Sequence, residues 1–145
     1  GKPLVAVSNL EAAVIKGKAD GRVLVALDAR MKECYTAVYE VKDTALVATC
    51  AEPLVARPEE LGALCEKHGV TAALGDAFER YAERITLAPS VQVLPVGCAT
   101  AAEIALLGRT AARAGKTVPA QLAAPLYVRN RVALTIDERS RGQTL

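Results

Sequence analysis

Residues Val23-Leu24-Val25-Ala26-Leu27 form an unbroken apolar run that stops at Asp28. A strand with one wet face alternates apolar and polar residues, so a continuous run predicts a strand buried on both faces. Such a strand needs a layer above and a layer below it, which points to a sheet with helices on both sides. The following segments say how that sheet is built. After the polar stretch Ala29 to Glu33, the segment Cys34 to Val41 puts Tyr35, Ala37, Tyr39 and Val41 on one face. Lys42-Asp43-Thr44 predicts a turn, and Ala45 to Val55 a third extended run. Three strands joined by short connections predict an antiparallel meander.

The pattern then alternates. Pro58-Glu59-Glu60 places a proline and two acids where a helix start favours them, and Leu61, Leu64, Cys65 and His68 share one face up to Gly69. Val70 to Leu74 reads as a short strand, Phe78 to Arg84 as a helix, and Val91 to Pro95 as another strand. Two capping boxes stand at the ends of the chain. Ser8 with Glu11 opens a helix that Gly17 is placed to close, and Thr100 with Glu103 opens one whose stripe is Ile104, Leu107 and Ala111. Before the first, Pro3 to Val7 reads as a short strand; Pro119 to Leu145 reads as extended, polar after Tyr127. The expected organisation is residues 1–20 as the end of an inter-domain strand and helix, 21–130 as one α/β domain, and 131–145 as a flexible tail.

With no Trp and one Phe, the core must be filled by Ala, Val and Leu, and a base-stacking platform is disfavoured. The 18 basic and 16 acidic residues are mixed along the chain; only Arg129, Arg131, Arg139 and Arg141 cluster, which predicts a solvated basic tail rather than a nucleic-acid stripe. Cys34, Cys50, Cys65 and Cys98 are far apart and include no close pair, so a structural zinc is not expected. No apolar run is long enough to span a bilayer, and a cytoplasmic chain with reduced thiols is the expectation.

Strand-strand-strand-helix-strand-helix-strand-helix resembles the ribonuclease H-like unit, the half-molecule of the actin-like ATPase superfamily: a mixed five-stranded sheet with helices on both faces. Nucleotide-binding members of that superfamily carry a glycine-rich phosphate loop between the first two strands, because backbone N–H groups crowd a phosphate only where side chains are absent. Here that turn is Asp28-Ala29-Arg30-Met31-Lys32-Glu33, without glycine. It is read as braced by Asp28, Arg30 and Glu33 through hydrogen bonds and an ion pair, and a lone strand-end carboxylate is a weak cation signal. Cys65 and His68 share a helical face with two leucines, which predicts a buried, protonated thiol rather than a nucleophile. Asp76 after Gly75 stands at a strand end where such folds place sites, although turn residues of this kind are common.

Three segments carry a closer resemblance. Val25 to Tyr35 is similar to the D-A-R-x-x-E-x-Y hairpin of the bacterial TsaB (YeaZ-type) proteins, Ala124-Pro125-Leu126-Tyr127-Val128-Arg129-Asn130 to their P-x-Y-x-R-N segment, and Val5 to Leu10 to their inter-domain stretch. The chain thus resembles the C-terminal domain of that family, with the N-terminal domain absent. The resemblance implies a non-catalytic scaffold or regulatory subunit of the complex that makes threonylcarbamoyladenosine beside the anticodon of tRNAs. It implies pairing with a TsaD-like catalytic subunit through the N-terminal domain, a TsaE-like ATPase as third member, and only indirect contact with tRNA. ATP and magnesium then belong to the partner subunits, with no cofactor in this chain. The alternative is a degenerate actin-like ATPase or glycoprotease-like hydrolase. Asp28, Arg30, Glu33, Tyr35, Pro125, Tyr127 and Arg129 match motif positions and are expected to be structural, Tyr127 and Arg129 by tying the C-terminal segment to the sheet. Apolar surface left by a missing domain offers a route to a homodimer.

Overall fold

The computed structural model describes residues 1–129 and residue 141. The expected tail, 131–145, and Asn130 of the C-terminal motif therefore lie outside the described residues, save residue 141. Strands β1 (Gly21–Asp28), β2 (Cys34–Lys42) and β3 (Ala45–Ala56) form the meander, followed by β4 (Ala72–Leu74) and β5 (Gln92–Val93). The sheet order is β3-β2-β1-β4-β5. β1 pairs antiparallel with β2 and parallel with β4, β2 antiparallel with β3, and β4 parallel with β5. The mixed five-stranded sheet is the one expected from the sequence.

Helices cover both faces. On one, Leu10, Ala13 and Val14 of helix α1 (Asn9–Gly17) meet Val23 and Val25 of β1, Tyr39 and Val41 of β2, and Leu74 of β4. On the other, Leu61 and Cys65 of α2 (Leu61–His68) and Ala77 of α3 (Ala77–Arg80) meet Leu24, Ala26, Val38 and Ala73. The apolar run divides between the two layers residue by residue, and Val23, Leu24, Val25 and Ala26 have no exposed surface. The one fully buried polar side chain among the described residues, Thr36, donates its hydroxyl to the Val25 carbonyl at 2.8 Å.

Both caps form as their spacing predicts, Ser8 with Glu11 at α1 and Thr100 with Glu103 at α4 (Ala101–Arg113). The Asp43-Thr44 turn holds two left-handed residues between paired Lys42 and Ala45, the geometry of a two-residue hairpin.

Several expectations change. The strand over Pro3–Val7 shrinks to a single bridge, in which Leu4 and Val118 exchange two 2.9 Å bonds. Pro3 and Pro119 flank the bridge on one side, and neither has an N–H to extend it. The helix over Phe78–Arg84 is one turn, Ala77–Arg80, because Tyr81 leaves helical geometry (φ −121°). Strands β4 and β5 are shorter than the apolar runs that contain them. Helix α1 does end at Gly17, and the next residue, Lys18, takes the left-handed cap conformation. In α2 only Leu61 and Cys65 are buried, with Leu64 and His68 half-buried. The segment from Pro119 opens with a 3-10 turn, Ala120–Leu122, rather than extended chain.

Candidate functional site

β1 and β4 are parallel neighbours and end at Asp28 and Gly75-Asp76, so their C-terminal ends bring two carboxylates together. Ligands of open α/β sheets gather outside such strand ends. Gly75 makes this approach feasible. Its φ is +122°, and a Cβ there would overlap the Ala26 carbonyl oxygen. Its N–H donates to Val96 at 2.8 Å, and the next residue, Asp76, accepts the Asp28 N–H at 2.9 Å.

Asp28 is almost enclosed, with its side chain 9% exposed. Oδ1 accepts the Tyr81 hydroxyl at 2.6 Å and the Arg30 N–H at 3.0 Å, and Oδ2 lies 3.2 Å from Arg80 Nε. The Tyr81 hydroxyl, with help from Arg30 N–H and the Arg80 guanidinium, holds this carboxyl below its ordinary range despite the desolvation. Tyr81 is itself flanked by the guanidinium carbons of Arg80 and Arg84, 5.9 and 5.7 Å from its ring centre. Arg84 in turn pairs with Glu59 at 2.7 Å. On the other carboxylate, Asp76 Oδ2 accepts the Cys98 thiol at 3.4 Å. Burial first, then Asp76, pushes that thiol up. Cys34 and Cys65 are pushed up to about 11, chiefly by burial. All three are poorer nucleophiles than a free thiol.

The turn after Asp28 has an uncommon backbone. Arg30, Met31 and Lys32 all have positive φ, 62°, 54° and 61°. Left-handed geometry costs a non-glycine residue about 1 kcal/mol or more, so the surroundings must hold the turn. They do so with its own N–H groups: Ala29 donates to the Glu33 carbonyl at 2.9 Å, Glu33 to the Arg30 carbonyl at 3.0 Å, and Arg30 to Asp28. Arg30 and Met31 project into solvent, and Arg30 reaches Asp28 Oδ2 only at 3.8 Å. The brace expected from Arg30 and Glu33 is therefore divided. Asp28 holds Arg30, while Glu33 pairs with Arg129, 96 residues further on.

Of the seven motif positions, the structure joins Asp28 with Arg30, and Glu33 and Tyr35 with Arg129. The Arg129 guanidinium carbon lies 5.8 Å from the Tyr35 ring centre. Pro125 lines a cleft of about 540 Å³ that also reaches Leu27, Asp28, Tyr35, Asp76 and Cys98. Tyr127 does not dock on the sheet as expected. It is 76% exposed, and among the described residues the tie is made by Arg129. Tyr81, Arg80 and Cys98 join Asp28 and Asp76 without having been singled out. Tyr81 stands 53 residues from Asp28 in the chain, and only the β1–β4 pairing brings them together.

Among the described residues, no group of three or more His, Cys, Asp or Glu side chains is placed to hold a metal ion, and no helix is long and apolar enough to cross a membrane.

No family model and no curated protein matches the chain. Solved structures do. One is a Pseudomonas aeruginosa protein described as uncharacterized with similarity to the peptidase YeaZ, 25% identical, with a TM-score of 0.68 over 88% of this chain and 60% of its own. YeaZ from Pseudomonas aeruginosa is 25% identical, with a TM-score of 0.70 over 87% of this chain and 59% of its own. The chain thus spans about three fifths of the length of the structures it matches. The chain is thus similar to YeaZ-type proteins and shares the mixed five-stranded α/β architecture of their ribonuclease H-like fold.

Proposed function

We propose that this chain serves as a non-catalytic scaffold or regulatory part of the machinery that makes threonylcarbamoyladenosine next to the anticodon of tRNAs, paired with a TsaD-type catalytic subunit. The observation that carries the non-catalytic reading is the turn after β1. Its Ala29, Arg30 and Glu33 N–H groups are engaged within the turn. A phosphate cradle needs such groups free and converging, with no side chains in the way. The likeness to YeaZ supports the family assignment, and the tRNA-modifying role follows from that assignment. In this reading the surface that meets the TsaD-type subunit belongs to the part of the relatives that this chain does not span. A TsaE-type ATPase joins the assembly, tRNA is met indirectly, and the machinery works in the cytoplasm. ATP and magnesium are used by the other subunits.

The second reading is a degenerate actin-like ATPase or a hydrolase, which the word peptidase attached to one neighbour brings in. The raised thiols of Cys34, Cys65 and Cys98 weigh against a cysteine nucleophile.

The test is co-purification of the gene product containing this chain with the TsaD-type protein of the same organism, alongside thermal unfolding with ATP and magnesium. Binding to the partner and an unchanged unfolding temperature are expected. Failure to bind, together with stabilisation by ATP, would move the ATPase reading forward, since a ligand that binds only the folded state must raise its stability.

A further inference from the structure

The C-terminal segment lines the Asp28–Asp76 cleft without joining the sheet. Among the described residues, no backbone hydrogen bond ties residues 124–129 to the rest of the protein, the last one in this region being from the Ala123 N–H to the Ala120 carbonyl at 3.4 Å. Nor does burial hold it. Leu126 is 67% and Tyr127 76% exposed. Yet Pro125, Leu126 and Val128 line the same cleft as Asp28, Asp76 and the exposed Cys98.

Among the described residues, what fastens the segment is one side chain. Arg129 is 12% exposed, pairs with Glu33 and extends over the Tyr35 ring, with Met31 Sδ 3.5 Å from Nη1. A guanidinium suits this place, because its planar fork meets a carboxylate while its face lies on an aromatic ring. The acceptor is delivered by the strained turn. Three successive left-handed residues, Arg30 to Lys32, return the chain so that Glu33 precedes β2 and Tyr35, in β2, lines the cleft.

We propose that residues 124–129 are a releasable strap, buckled by the Arg129–Glu33 ion pair, which forms one side of the cleft at the C-terminal ends of β1 and β4. Unbuckled, the segment has no backbone tie among the described residues to keep it in place, and the cleft loses the side lined by Pro125, Leu126 and Val128. The strained turn and the C-terminal segment, which share motif resemblance but are far apart in the chain, are then two halves of one fastening. The floor does not depend on the strap. Asp28 keeps Tyr81 and Arg80, and Asp76 keeps the Asp28 N–H, whether or not Arg129 is engaged.

Backbone ¹⁵N relaxation tests this in the unaltered protein, in Glu33→Gln and in Arg129→Gln. The expected order parameters for residues 124–129 are those of rigid backbone, about 0.85, in the unaltered protein, falling below about 0.6 in both variants while the strands stay unchanged. Arg129 lies outside both buried clusters, so Arg129→Gln decides the matter if Glu33→Gln does not fold. A segment already mobile in the unaltered protein, or one that stays rigid in the folded variants, would overturn the strap.

Discussion

Helices α1 and α4 open with the same reciprocal cap, Ser8 with Glu11 and Thr100 with Glu103, yet four of the nine residues of α1 are buried and none of the thirteen of α4. The cap decides where a helix begins, by satisfying N–H groups that have no partner inside it. It says nothing about what the helix will cover. α1 lies on the sheet, with Leu10, Ala13 and Val14 against β1, β2 and β4. The principal contact of α4 is α1, so it forms an outer layer. Its stripe of Ile104, Leu107 and Ala111 is half-buried, and Leu106 is 44% exposed. Similar local signals thus produce one helix that holds the fold together and one that rests on it.

The largest test of that difference is a matched truncation. Leu10→Ala should destabilise the protein by about 3 kcal/mol, within the range for buried leucines. Leu107→Ala should cost less than about 1 kcal/mol. Urea unfolding of the two variants compares them directly, and equal losses would place α4 in the core.

Glycine substitutions should differ even in sign. A Cβ on Gly17 would run into the side chain of buried Leu74, whereas one on Gly108 would meet only Val7 Cγ2 at an ordinary 3.8 Å. Gly17→Ala is expected to destabilise by about 1 kcal/mol, and Gly108→Ala to stabilise by up to about 1 kcal/mol through helix propensity. Thermal unfolding midpoints moving in opposite directions would check both.

Removing the caps separates global from local stability. Ser8→Ala should lower global stability by about 1 kcal/mol, because α1 is part of the core. Thr100→Ala should act on α4 itself, seen as faster amide exchange in its first turn with little change in the unfolding midpoint.

The smallest effect is one of pH. Hydrogen bonds from Thr100 hold the Glu103 carboxyl below its ordinary value of 4.5. The folded value is depressed, so the contribution is fully present above 4.5 and is lost as pH falls through the folded value. Amide shifts of Thr100 and Ala102 on acid titration should follow this loss without unfolding of the sheet.

Much of this architecture was legible because it depends on short stretches of chain. The unbroken Val23–Leu27 run specified a strand covered on both faces, and both capping boxes placed the start of their helix to the residue. Asp43-Thr44 made its turn without glycine, where strand pairing compensates the left-handed backbone. The errors fell where distant chain decided. Phe78–Arg84 carries helical pattern, but Tyr81 turns out of the helix and its hydroxyl bonds to Asp28. Pro3–Val7 looks like a strand, but its opposite chain carries Pro119 and can make only one bridge.

The candidate site divides in the same way. Asp28 at the end of its run, and Asp76 after Gly75, could be read from the chain as strand ends, since such positions are defined by neighbouring residues. Their conjunction could not, because it required β1 and β4 to pair in parallel and Gly75 to pass against the Ala26 carbonyl. The matching of Glu33 with Arg129 was also beyond the sequence, which suggested Arg30 as the nearer cation. Periodicity, capping and turn propensity act over a few residues and survive without knowledge of the rest. Ion-pair choice, layer depth and the joining of strand ends depend on distances that only the packed sheet defines, and these the tertiary structure alone decided.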